Sequence, residues 1–81
     1  MSFNTALAAR LGISTSQLRT LKRKIDAAAT AQEREHNEPN APSSDDATGK
    51  VESYAKSLGY DCIWPGLYPV LTKNNQQFHL S

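Results

Sequence analysis

The sequence predicts an α+β fold: an N-terminal helical hairpin, a linker, then one helix packed on a small three-stranded antiparallel sheet. Three observations carry that reading. Apolar residues recur at steps of three and four up to about residue 29 and again over 51–58, and the period falls to two after residue 60. Between the two helical stretches, "HNEPNAPSSDDATG" gathers prolines, asparagines and serines that interrupt regular structure. The chain therefore divides into a hairpin segment (1–35), a flexible acidic linker (36–47) and an α-β-β-β module (48–81).

The first helix is expected from about Asn4 to Leu11. Ser2 or Asn4 can cap it, and Ala6, Ala8 and Ala9 favour it. Gly12 suits the left-handed position just past a helix end. Ser14 to Gln17 has the Ser-x-x-Gln form of a capping box, so a second helix begins there. Leu18, Leu21 and Ile25 form its apolar stripe, extended by Ala28 and Ala29, and "IDAAATAQERE" carries it toward residue 35. A third helix runs from Asp45 or Asp46 to about Leu58. Acidic residues open it, Val51, Tyr54, Ala55 and Leu58 line one face, and Gly59 closes it.

In the tail, Tyr60, Cys62 and Trp64 alternate with Asp61 and Ile63, as in a short strand. "PVLTKNNQQFHL" reads as a hairpin around Asn74-Asn75, because asparagine tolerates the positive φ of a type I′ turn. That register sets Leu71 opposite Phe78 and Pro69 opposite Leu80 on one face, with Thr72–Gln77 and Val70–His79 on the other. "WPGL" calls for a broader connection, since a type II Pro-Gly turn splays hairpin strands. Val51, Tyr54, Leu58, Cys62, Trp64, Leu71, Phe78 and Leu80 are expected to make the tail the main core.

Composition bounds the function. The chain has 81 residues, 38% of them hydrophobic, and a net charge of +1. Pieces this small need packing on each other, or on a partner, to fold. The charge is polarised. Residues 1–31 carry Arg10, Arg19, Lys22, Arg23 and Lys24 against Asp26, whereas residues 32–53 carry six carboxylates against Arg34 and Lys50. The basic segment suggests an anionic partner. A single cysteine, Cys62, no apolar run of membrane-spanning length and no signal-peptide profile point to a cytoplasmic protein with no membrane partner.

The basic segment also carries a motif. A hinge glycine (Gly12) is followed by an apolar plug (Ile13), preceded by a small residue one turn earlier (Ala8), and locked by Leu18 and Leu21. Through "ALAARLGISTSQLRTL" the chain resembles the helix-turn-helix DNA-binding families, over about a quarter of its length. The resemblance implies that the second helix enters the major groove of double-stranded DNA by its N-terminal end. Thr15, Ser16, Gln17 and Thr20 would then face bases. Arg10, Arg19, Lys22, Arg23 and Lys24 would meet phosphates.

No catalytic constellation is legible, and no cofactor or metal is expected. Cys62, His36 and His79 are the soft ligands, and none stands at metal-ligand spacing. "WPGLYP" clusters Trp64, Leu67 and Tyr68 with two prolines in a stiff aromatic loop, suited either to anchoring a partner or to closing a small core. Two functions follow from these features. One is a small DNA-binding transcription regulator whose tail makes a homodimer or binds a protein partner. The other is a non-enzymatic protein-interaction module, an adaptor or inhibitor, using the hairpin and the aromatic loop.

Overall fold

Helix α1 (Phe3–Leu11) ends where Gly12 takes φ +71. The amides of Gly12 and Ile13 turn back to the carbonyls of Ala9 and Ala8, at 3.2 and 3.0 Å, and complete a Schellman cap. The structure, a computed structural model, describes residues 3–80. Capping by Ser2 lies outside those residues. Asn4 is not a cap: it sits inside α1, and its side chain accepts from Lys22 instead.

Helix α2 (Thr15–Asn37) opens with the expected capping box. Gln17 N–H donates to Ser14 Oγ at 3.1 Å, and Ser14 N–H donates to Gln17 Oε1 at 2.9 Å. Leu18, Leu21, Ile25, Ala28 and Ala29 are its buried face. The helix passes residue 35 and stops only near Pro39. A residue before proline is pushed out of the helical region, and Glu38 accordingly sits at φ −118, ψ 111. The connection to α3 is residues 38–44, shorter than composition suggested.

Helix α3 (Asp45–Ser57) packs along α2 and buries Val51 and Ala55. It closes as α1 does. Gly59 takes φ +91, and the amides of Gly59 and Tyr60 reach Lys56 and Ala55. Strands β1 (Asp61–Ile63), β2 (Val70–Lys73) and β3 (Gln76–His79) follow in the sheet order β1-β2-β3, antiparallel throughout. Asn74 and Asn75, at φ 52 and 65, make the two-residue turn. Leu71 pairs with Phe78, Val70 with His79 and Thr72 with Gln77, as alternation required.

The core differs from expectation. Leu7, Ala8, Leu11, Leu18, Leu21, Ile25 and Ala28 join Val51, Ala55, Tyr60, Leu71 and Leu80 in one buried cluster. Tyr54, Leu58, Cys62, Trp64 and Phe78 pack only around its margin. A sheet of three- and four-residue strands is too small to enclose the large residues of the tail. The stripe of α2 joins the same buried cluster as Leu71 and Leu80, so the core is shared between the halves.

Candidate nucleic-acid interface

Because α2 buries Leu18, Leu21 and Ile25, residues lying across the helix from them must face outward. Ser16, Arg19, Thr20 and Arg23 are the exposed residues so placed in the first turns of α2, and the exposed Asp26, Ala27 and Thr30 continue that side toward its middle. Arg19 and Arg23 stand one turn apart, and neither has an ion pair or hydrogen bond among the described residues. Thr20 Oγ1 donates to the Ser16 carbonyl at 3.1 Å, which leaves its oxygen able only to accept.

The other nominated residues are displaced from this face. Lys22 Nζ donates to Asn4 Oδ1 at 3.0 Å and so ties α2 to α1. Lys24 Nζ lies 5.6 Å from the centre of the Tyr54 ring on α3. Arg10 sits 5.9 Å from the Phe78 ring, against β3. Each of the three is oriented by an intramolecular contact. Thr15 is half-buried. Gln17 is exposed, yet its Oε1 is occupied by the capping box. Bidentate pairing with adenine needs that oxygen as an acceptor. Base reading by Gln17 therefore competes with the cap.

The turn between α1 and α2 is fastened from the tail. Tyr60 Oη donates to the carbonyl of Leu11, and its ring meets Phe78 edge-on at 5.6 Å and 86°. Lys73 Nζ lies 5.2 Å from the same Tyr60 ring. Sequence spacing pointed to none of the aromatic partners of these cations, nor to Asn4. Each contact joins residues far apart in the chain, and periodicity is blind to them.

The aromatic loop divides. Pro69 is fully buried, and Trp64 is half-buried with its indole N–H on Glu52 Oε1 at 2.8 Å. Leu67 and Tyr68 stay exposed, and Ile63, which sequence reading did not nominate, is exposed beside them. Gln32 Nε2 donates to the Leu67 carbonyl at 3.1 Å, which sets the loop against α2.

Two titrating groups are perturbed. Burial, and then the negative charge of Glu52, push the Cys62 thiol up to about 11. The backbone N–H of Ser44, and then its hydroxyl, hold the Glu35 carboxyl below its ordinary value. Cys62 pairs across to Leu71, one residue out of step with the Val70–His79 pair, so Cys62 and His79 lie on opposite sheet faces. They cannot act as a nucleophile and base. Among the described residues no three His, Cys, Asp or Glu side chains gather as metal ligands, and no helix is long and apolar enough to cross a membrane.

Compared with protein-family models, curated proteins and solved structures, the chain matches none.

Proposed function

We propose that the chain is a small DNA-binding regulator that docks the α1–α2 hairpin on double-stranded DNA and uses its tail to bind a partner. The supporting observation is the exposed face of Ser16, Arg19, Thr20 and Arg23, presented just after a turn that is capped on both sides. Two unpaired guanidinium groups on such a face suit phosphate oxygens. With Gln17 held in its cap, the contacts to the backbone outweigh those to bases, so binding is weakly selective for sequence.

A gel shift on random duplex DNA at low and moderate salt tests this. The wild-type complex should weaken steeply with salt, and the paired variant R19A/R23A should lower the logarithmic slope by about 1.8, at about 0.9 per phosphate contact. No shift at low salt, or an unchanged slope in the variant, would reject the reading.

A second reading, a non-enzymatic adaptor or inhibitor, is favoured by the exposed Ile63, Leu67 and Tyr68. It would keep partner binding and show no salt-dependent affinity for DNA.

A further inference from the structure

β3 is an edge strand, and half of its backbone is unused. Asn74 and Asn75 close a two-residue turn, so Lys73 and Gln76 are the first hydrogen-bonded pair of the hairpin. Such pairs alternate along an antiparallel ladder, which makes Leu71 and Phe78 the next. Gln77 and His79 therefore turn their N–H and C=O groups away from β2, and among the described residues nothing else bonds to them. Natural sheets guard such an edge with a lysine, a proline or a bulge. Gln76–His79 has neither lysine nor proline, and its register with β2 runs without a bulge.

Beside that edge runs an open groove lined by Arg10, Gln76, Gln77 and Phe78. Arg10 is exposed near the end of α1, its guanidinium carbon 5.9 Å from the centre of the Phe78 ring. It has no ion pair among the described residues. The charges around it are of one sign. α1 and β3 carry no carboxylate, and Lys73, on the same sheet face as Phe78, adds a second cation. Asp61, the acid of the sheet, belongs to the row Asp61–Thr72–Gln77 on the opposite face.

We propose that β3 accepts a fourth strand from a partner protein, an extended segment whose carboxylate side chain, set opposite Phe78, meets Arg10. The backbone fixes the position. Residues opposite Gln77 and His79 exchange N–H···O bonds with them, and their side chains take the outer face of the sheet. The residue opposite Phe78 points to the face that bears Phe78 and Arg10, its Cβ about 4.5–5.5 Å from that of Phe78. Shape and charge choose this occupant over a second copy. Antiparallel pairing of two β3 strands would set groove against groove and bring a second Arg10 to the same side of the sheet, with no carboxylate on α1 or β3 to separate them. Like charges across an interface oppose association. A single extended strand fills the groove and supplies the missing sign. This inference rests on the partner-binding half of the proposed function and is independent of the DNA-binding half.

The test is a titration of the nitrogen-15-labelled full chain with the synthetic peptide Thr-Val-Thr-Glu-Thr-Val-Thr, its ends blocked so that they carry no charge. Three controls replace the glutamate with glutamine, replace it with lysine, or methylate the backbone nitrogens of the two threonines beside it. The expected result is amide shifts over residues 76–79, slower amide exchange at Gln77 and His79, and affinity that falls as salt rises. The glutamine peptide on wild type, and the glutamate peptide on R10Q, should each bind about three- to fivefold more weakly, as for the loss of one exposed ion pair. The two changes together should cost no more than either alone. R10Q should stay folded, since Arg10 is exposed. No shifts at 76–79, or binding of the lysine or methylated peptide equal to that of the glutamate peptide, would overturn the proposal. Exchange at Gln77 and His79 that slows with protein concentration alone would overturn it in favour of a second copy. Peptide binding by a chain that fails to shift DNA would uphold this edge while removing the DNA reading, and a salt-dependent gel shift without peptide binding would do the reverse.

Discussion

The hydroxyl of Tyr60 donates a hydrogen bond to the carbonyl of Leu11, across a sequence separation of 49. Tyr60 is the residue just past the glycine cap of α3, and Leu11 is the last residue of α1. The last carbonyls of a helix have no partner within it, and this one is shut away from water because Leu11 is buried. Removing the hydroxyl in Y60F should cost about 1–3 kcal/mol, the usual price of stranding a buried acceptor. For a domain of this size each kcal/mol lowers the melting temperature by roughly 4–8 °C. An unchanged melt would show that the bond contributes nothing.

Gly12 offers a cleaner measure of the turn. A Cβ at this position meets nothing within 4 Å, so a substitution there acts through the backbone alone. G12A should lose about 1–2 kcal/mol, the strain of an L-residue in the left-handed region. G12N should lose less, since asparagine adopts that region more readily. Equal chemical denaturation midpoints for wild type and G12A would mean that the positive φ is not required.

Cys62 should be a slow thiol. Moving it from 9.0 to about 11 leaves on the order of 100-fold less thiolate near neutral pH, and the thiolate is the reactive form. A disulfide reagent should therefore label it far more slowly than a free cysteine at the same pH. Because the folded state holds this proton more tightly, its stabilising contribution is fully present below pH 9.0 and declines as pH rises toward 11. Labelling as fast as free cysteine would contradict both statements.

Glu35 should set part of the acid limb of stability. Its carboxyl is lowered by the Ser44 N–H and hydroxyl, so its contribution is present above the unfolded carboxylate value and lost as pH falls through the folded one. E35Q should melt below wild type at neutral pH, and the two curves should converge in acid. Curves that stay parallel from neutral to acid pH would remove Glu35 from the account.

Much of the fold was legible because the deciding signals are local. Gly12, the Ser14–Gln17 box, Gly59 and the Asn74–Asn75 turn each act within a few residues, and strand alternation set the hairpin register. Local signals misplaced the core, because they cannot tell which face covers which. The nominated interface fared unevenly for the same reason. Helical spacing put Arg19 and Arg23 outward, whereas Asn4, Phe78 and Tyr54 draw Lys22, Arg10 and Lys24 to particular neighbours across the fold. The exposure of Ile63 was within reach. If Tyr60, Cys62 and Trp64 share the core face, Ile63 has to point the other way.

Helix α2 also acts as a spacer. At about 1.5 Å per residue, Ser16 near its start and Gln32 beside the aromatic loop are separated by about 24 Å along its axis. That span exceeds the width of a docked peptide helix, about 10–12 Å with its side chains. A partner held at Leu67 would then be tethered beside whatever Arg19 and Arg23 grip, and its local concentration there would be fixed by the length of one rigid helix.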